Sequence, residues 1–339
     1  MKNCSRRIIG ILTIVFFVVV SFFAFTAEVD AAKKFKKIKF SHNQPPRPNA
    51  IWQASALTFQ NFLRIHSKGK LDTKIYPASQ LGWDRDVAKK VKMGSVQMQL
   101  VVLNNLSQFD QRLDILTLPF MIGSFEGAQK VLTSDISKKL MTDFRKKTGI
   151  RMLALIAGAF RNMMNSKHPI NKPSDLGDLK MRIAKNPIMI GTYKALGGST
   201  IGMKGSELYA ALGTGAVDGH DGGTAWAYGM KFHEVAKHMA VTMHQLVSGS
   251  LIINEKYYQS LPKNLQAAIQ KAARDTAAWS NKYCQAQHDY AISEFKKAGI
   301  KITTPNLAPF QSAVTPVYKK FADRDGGLSL IKKVQEMGK

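Results

Sequence analysis

The fold of this chain is decided by the stretch Leu179-Lys180-Met181-Arg182-Ile183, in which apolar and polar residues alternate as in a strand with one buried face. A turn-rich segment, residues 171–178, precedes it. Asn186-Pro187 follows it and opens a segment with apolar residues at helical spacing. Side chains at the carboxyl ends of strands line the ligand crevices of α/β sheets. The stretch therefore predicts an α/β sheet with Arg182 at a crevice.

Arg182 is a candidate anion-binding residue, and Asn186 beside it is a second candidate. A guanidinium group is permanently charged and offers a planar fork of donors, which suits a carboxylate better than the point charge of lysine. A surface ion pair at the edge of a strand would explain the same pattern. The spacing alone leaves both interpretations of Arg182 open.

Strands alternate with helices on both sides of this stretch, which predicts βαβ units and an α/β sheet. The rhythm breaks at residues 158–161 and predicts a crossing into a second unit. The predicted strands are Lys36–Phe40, Leu71–Tyr76, Val96–Leu103, Arg151–Ala157, Ser199–Met203 and Lys301–Thr303. The predicted helices include Ile51–Ile65, one from Asp84 to a stop at Gly94, Phe125–Lys146, Ser206–Leu212 and a long one over Pro262–Lys297.

The charge balance is unusual for a globular chain of 339 residues, with 49 Lys and Arg against 23 Asp and Glu and a net charge of +26. Such a bias is typical of proteins that meet nucleic acid, anionic membrane surfaces or anionic solutes. Here the basic residues are spread along the whole chain, without a nucleic-acid motif or a basic-aromatic repeat. We therefore expect no nucleic-acid partner, and a basic surface protein that binds nucleic acid or anionic lipid stays open as a second alternative.

The N-terminus has the pattern of a secretory signal peptide, residues 1–31. Lys2, Arg6 and Arg7 precede the apolar run Ile8–Ala27, and small residues precede a cut ahead of Ala32. About 20 apolar residues would also span a bilayer, so an uncleaved anchor stays open as an alternative. After cleavage Cys284 is the one cysteine left, which excludes an intramolecular disulfide.

The segment Asp218-Gly219-His220-Asp221-Gly222-Gly223 forms a glycine-rich strand-to-loop junction. His220 and Asp221 could bind a metal, but metal sites need three or four convergent ligands and no ligand spacing of that kind occurs. We therefore favour a hydrogen-bonding role and predict neither a metal nor a cofactor. No nucleophile elbow, phosphate loop or dinucleotide fingerprint supports an enzyme. An enzyme that uses Asp84, Asp221 and His220 remains the alternative.

Several spaced motifs, in this order along the chain, resemble those of the solute-binding proteins of tripartite ATP-independent periplasmic (TRAP) transporters. They are Ser79-Gln80-Leu81-Gly82, Leu118-Pro119-Phe120, Gly158 with Arg161, Asp175-Leu176 with Leu179-Lys180-Met181-Arg182, Ala195-Leu196-Gly197-Gly198, Ser206 to Gly215, and Val217-Asp218-Gly219. The resemblance spans nearly the whole exported chain.

The resemblance implies an α/β, two-lobed periplasmic binding protein fold of type II-like form, with a ligand cleft between the lobes and a long helix across both. Lobe I would comprise residues 32–158 and about 248–287, and lobe II residues 159–247 and about 288–339. The expected function is capture of an organic anion, above all a carboxylate, in the periplasm and its delivery to a TRAP membrane permease. We expect a monomer and no catalysis.

The resemblance also assigns roles to site residues. Arg182 would pair with the ligand's carboxylate, Arg161 would assist, and Asn43 and Asp84 would reach the ligand from lobe I. The remaining candidates are His220, Asp221, Gly222, Asn186 and Trp226, the last either as an aromatic wall for the ligand or as buried packing.

Three departures from the family pattern bear on the ligand. His220-Asp221-Gly222-Gly223 stands where many members have Gln-Glu-Asn-Pro, Gly205 replaces a frequent aromatic residue, and Val102 replaces a glutamate of sialic acid-binding members. These departures argue against sialic acid. Two glycines predict a locally enlarged pocket and a bulkier or aromatic acid on Trp226. A small acid with bridging waters, or a sulfonate, would fit the same pattern.

Overall fold

A computed structural model describes residues 36–184, 186–325 and 327–339, so the predicted signal peptide lies outside the described residues. The strands are β1 (Lys36–Ser41), β2 (Leu71–Tyr76), β3 (Met98–Val102), β4 (Ile150–Asn165), β5 (Lys180–Ile183), β6 (Ser199–Gly202), β7 (Gly219–Gly223), β8 (His238–Asn254) and β9 (Lys301–Thr303). In this part of the chain they form one sheet in the order β2-β1-β3-β8-β4-β7-β5-β6, with β9 beside β8.

Helices cover the sheet. They are α1 (Ile51–His66), α2 (Asp84–Met93), α3 (Phe125–Thr133), α4 (Asp135–Thr148), α5 (Pro187–Ala195), α6 (Leu208–Gly213), α7 (Thr224–Gly229), α8 (Glu255–Gln259), α9 (Lys263–Lys297), α10 (Ala308–Ala313), α11 (Thr315–Asp325) and α12 (Gly327–Gly338). Among the described helices, none is both long and apolar enough to cross a membrane.

Two long antiparallel strands, β4 and β8, run through both halves of the sheet. At one end of the pair, Ile150 of β4 lies opposite Asn254 of β8. At the other end, Asn165 of β4 lies opposite His238 of β8. In one half β3 continues the sheet beside β8, and β1 and β2 follow in parallel. In the other half β7 lies beside β4, and β5 and β6 follow in parallel. The architecture is therefore a mixed α/β sheet of two halves on a shared pair of strands.

The register of β4 against β8 shifts between Ala157 and Phe160 and again between Arg161 and Met163. These irregularities lie beside residues 158 and 159, where the sequence predicts the passage from lobe I to lobe II. The exact lobe boundaries stay a prediction, and the shifts supply a reason for the chain to bend there.

The predicted strand end at residues 158–161 is wrong, because β4 continues through it to Asn165. A Cβ atom on Gly158 would collide with the Val247 carbonyl oxygen and the Trp52 ring. The glycine therefore serves close packing inside a strand, where the sequence alone suggested a break. The single predicted helix Phe125–Lys146 is also wrong in one respect. It is divided into α3 and α4 by Ser134, whose extended backbone and Oγ cap the second helix.

The long helix α9 confirms the prediction closely, with 35 residues from Lys263 to Lys297. Ser280 Oγ lies 2.9 Å from Ser55 Oγ of α1, and Asn281 Oδ1 accepts from the Ala157 amide of β4 at 3.1 Å. Near its other end Phe295 packs in a buried cluster with Phe232. The helix therefore contacts both halves of the molecule.

Candidate ligand-binding site

Arg182 lies on β5, next to His220 of β7 in the parallel register, and is only 6% exposed. Its Nε and Nη2 both donate to the Met203 carbonyl oxygen, at 2.9 and 2.6 Å. That carbonyl therefore occupies one edge of the guanidinium fork. Nη1 and the second hydrogen of Nη2 are left on the other edge, which is the geometry that an end-on carboxylate requires.

Burial lowers the pKa of Arg182 to about 10, with the charge of Arg161 acting in the same direction and Asp221 and Glu207 opposing it. The group is still a cation at neutral pH. Arg182 is therefore a poorly hydrated positive charge that a ligand anion would stabilise.

Arg161 of β4 is held by Asp221 of β7, with 2.7 Å between Nη1 and Oδ1. The second carboxylate oxygen of Asp221 lies 3.1 Å from His244 Nε2, and His244 Nδ1 lies 2.8 Å from Thr242 Oγ1. Burial opposes ionisation of Asp221, but Arg161 and His244 hold its pKa below the usual value. Asp221 is thus an anion that fixes Arg161.

Arg161 and Arg182 carry two positive charges, and Asp221, which pairs with Arg161, carries one negative charge. Arg161 has an 11% exposed side chain and Asp221 a 1% exposed one, so this charge balance is set in a poorly hydrated space. Glu207, the other carboxylate that influences Arg182, is 54% exposed and lies 4.0 Å from Lys204. The site therefore retains an excess positive charge that one anionic group would neutralise.

His220 is completely buried between Trp226 and Phe232, with ring centroids 5.9 and 4.8 Å away. Burial and the charge of Arg182 lower its pKa to about 3, so the ring is neutral at physiological pH. Within the described residues neither ring nitrogen has a partner in hydrogen-bond geometry. The predicted hydrogen-bonding role of this side chain is therefore not fulfilled by the protein itself.

Trp226 of α7 covers Arg182, whose Cζ lies 5.7 Å from the centroid of the indole. A Cβ atom on Gly205 would lie 2.9 Å from the indole Cζ2, and one on Gly222 would lie 2.6 Å from Cζ3. The expectation that these glycines enlarge the pocket is therefore wrong, because the indole fills the space that they leave.

Asp84, the first residue of α2, is 4% exposed and is surrounded by amide donors. Asn43 and Asn105 donate to Oδ2 at 2.8 and 3.0 Å, and Gln99 approaches Oδ1 at 3.3 Å. Burial raises the pKa of Asp84 to about 6 against these hydrogen bonds. The predicted residues Asn43 and Asp84 are thus hydrogen-bonded to each other. Asn105 and Gln99 belong to the same hydrogen-bonded group and were not predicted from the sequence. The signal for Gln99 was a polar residue inside the buried strand β3.

Asn186 caps α5, because its Oδ1 accepts from the amides of Ile188 and Met189 at 2.8 and 3.2 Å. The Asn186 side-chain oxygen therefore caps the N-terminus of α5. A contact between Asn186 and the ligand stays a prediction. Within the described residues no group of three or more His, Cys, Asp or Glu side chains is arranged to hold a metal ion.

Comparison with known proteins shows which family this chain resembles. The chain is 28% identical over 327 residues to the C4-dicarboxylate-binding periplasmic protein DctP of Rhodobacter capsulatus, covering 95% of this chain and 96% of that protein. It is 28% identical over 337 residues to the sialic acid-binding periplasmic protein SiaP of Vibrio cholerae, covering 99% and 100% of the two chains.

A solved structure has the same fold. The TRAP periplasmic solute-binding protein of a Polaromonas species, bound to D-erythronate, is 26% identical and superposes with a TM-score of 0.81 over 88% of this chain and 98% of that one. The sequence profile of the bacterial extracellular solute-binding proteins, family 7, matches residues 40–325. With the ordered motifs and the two-lobed fold, this match shows that the chain belongs to family 7 of the bacterial extracellular solute-binding proteins.

Proposed function

We propose that this protein is the periplasmic solute-binding component of a TRAP transporter and that it captures an organic acid by its carboxylate. The observation that carries the proposal is the pair of poorly hydrated guanidinium groups, Arg161 and Arg182, with Asp221, the partner of Arg161, as the one buried carboxylate that acts on both. One added carboxylate on the open edge of Arg182 would balance the charge and complete its hydrogen bonds.

The related proteins support a carboxylate as the recognised group. The Rhodobacter relative is named for C4-dicarboxylates, the Vibrio relative for sialic acid, and the Polaromonas structure holds D-erythronate. These compounds differ in size and in hydroxyl content, and each carries a carboxylate at neutral pH. The shared group is the one that Arg182 suits.

Binding would be strengthened by closure of the two halves about β4 and β8. Closure removes water from around the anion, and the attraction between a guanidinium and a carboxylate grows as the local dielectric constant falls. Asp221 would keep Arg161 in place while Arg182 receives the ligand. The closed form would then be the state that the membrane permease recognises.

The enzyme alternative requires Asp84, Asp221 and His220 to act together on protons. Asp221 is held ionised by Arg161 and His244, and the His220 ring is neutral with a pKa of about 3, so neither is poised to exchange a proton near neutral pH. Asp84, with a pKa of about 6, is the one of the three that would exchange a proton there. We propose a monomer that acts without catalysis, metal, cofactor or nucleic acid.

A thermal-shift screen of the purified exported chain against organic acids, sugars and sulfonates tests the function. A ligand that binds only the folded state raises the melting temperature. We expect carboxylates to give the shifts, and mass spectrometry should recover the bound acid unchanged. Shifts from neutral sugars alone, or chemical conversion of the bound acid, would contradict the proposal.

A further inference from the structure

A groove that includes Trp226 in its lining lies between the two halves of the molecule. Its walls come from the segment 44–51 that follows β1, from α7, and from one turn of the long helix α9.

The lining of the groove is mostly apolar. Nine of its fourteen residues are aliphatic or aromatic, among them Ile51, Trp226, Met230 and Tyr290. Arg47 is the one charged residue of the fourteen, and its Nη1 donates to the Gly229 carbonyl oxygen across the groove at 3.2 Å. Gln44, Asn49 and Gln287 add side-chain amides, but most of the lining offers hydroxyl groups no hydrogen bond in exchange for those that they make with water.

Trp226 joins the groove to the anion site. The indole lines the groove, and the Arg182 guanidinium lies 5.7 Å from the indole centroid. The apolar groove and the candidate anion site therefore share one side chain, the Trp226 indole.

We propose that this groove receives the apolar body of the acid bound by Arg182, so that the ligand is a carboxylate with an aromatic or aliphatic body. This inference rests on the proposed function and names its substrate class. Burial of the apolar body against Trp226, Ile51 and Met230 would add affinity that a polyhydroxylated acid does not gain.

Isothermal titration calorimetry with six carboxylates tests the substrate class. Benzoate, 3-phenylpropanoate and hexanoate carry apolar bodies, and D-erythronate, gluconate and glucuronate carry hydroxylated ones. We expect the tightest apolar acid to bind at least tenfold more tightly than the tightest hydroxylated acid. An equal or higher affinity for a hydroxylated acid would overturn the inference.

A matched pair of variants on α9 locates the body of the ligand. Gln287 lines the groove, whereas Gln285 is exposed on the same helix outside it. Gln287→Glu should weaken the tightest apolar acid at least fivefold, because it places a charge against the apolar body. Gln285→Glu, with the same change of net charge, should stay within twofold of the parent. Equal effects of the two variants would overturn the groove assignment.

The Arg182→Ala variant separates this inference from the proposed function. If hydroxylated acids bind best and lose affinity in Arg182→Ala, the function stands and the groove assignment fails. If none of the six acids depends on Arg182, both proposals fail. Circular dichroism of each variant confirms that the chain is folded.

Discussion

Among single residues, Asp84 combines deep burial with a carboxyl group whose hydrogen bonds in the described residues come from amides. Its folded-state pKa of about 6 lies above the ordinary value of 3.8. Its contribution to stability is therefore fully present below about pH 4 and is lost as the pH rises through about 6. Over this pH range the contribution of Asp84 to the free energy of unfolding falls by about 3 kcal/mol.

Asp84→Asn tests this titration, because the amide cannot ionise. We expect the unfolding free energy of the parent to fall relative to that of the variant as the pH rises from 4 to 6, and the difference to level off above pH 7. Urea unfolding at pH 4, 5, 6 and 7 measures it. A difference that does not change with pH would show that Asp84 titrates normally in the folded chain.

The sequence predicted several residues of the site because their local patterns are informative. Alternation identified Arg182, and its place before Asn186-Pro187 put it at a strand end. The contact between Trp226 and Arg182 could not be predicted from the sequence, because it depends on how α7 packs against β5. The hydrogen bonds from Asn105 and Gln99 to Asp84 also require the fold, because these residues lie 21 and 15 positions from it.

At the scale of elements, β7 carries the contact that sets the shape of the site. Gly222 lets the Trp226 indole lie against the strand, and a Cβ atom there would lie 2.6 Å from Cζ3 and 3.1 Å from His220 Nδ1. Gly222→Ala should destabilise the protein by about 1–3 kcal/mol, because the indole or the strand must move. Urea unfolding followed by tryptophan fluorescence measures the loss.

Gly123→Ala is the matched control, since a Cβ atom at Gly123 meets nothing within 4 Å. It should change the unfolding free energy by less than about 0.5 kcal/mol. If Gly222→Ala is as mild as this control, the indole does not pack as described.

The elements with strong local signals were predictable, and those that depend on distant partners were less so. The helix α9 has a continuous helical pattern between Pro262 and Gly299 and was found almost whole. The strand β4 was cut short at Gly158, because a glycine inside a strand looks like a break until Trp52 is placed beside it. Ser134 was not predicted as a helix cap, because the residues before and after it both follow a helical pattern.

At the scale of the whole molecule, two contacts join the predicted lobes near the cleft. Arg47 donates to the Gly229 carbonyl oxygen at 3.2 Å, and Lys204 Nζ lies 5.4 Å from the centroid of the Trp83 ring. Both contacts would be lost when the lobes separate. They therefore favour the closed arrangement over an open one.

The double variant Arg47→Ala with Lys204→Ala should release a bound acid about fivefold faster, because about 1 kcal/mol of closure energy is lost. The association rate should stay within about twofold, since most changes of affinity appear in dissociation. Stopped-flow fluorescence measures both rates. The control is Lys130→Ala with Lys138→Ala, which removes two charges from exposed ion pairs inside single helices. Equal release from both double variants would exclude a role for the two contacts in closure.

The central claim is that Arg182 binds the carboxylate of the ligand, and calorimetry of Arg182 variants tests it most directly. With the acid that gives the largest thermal shift, Arg182→Ala should lose at least tenfold in affinity, about 1.4 kcal/mol. Arg182→Lys should also bind more weakly, because the planar fork is gone. Arg64→Ala, which removes an arginine of α1 that pairs with Asp72 of β2, should bind like the parent. Parent-like binding by both Arg182 variants would contradict the account.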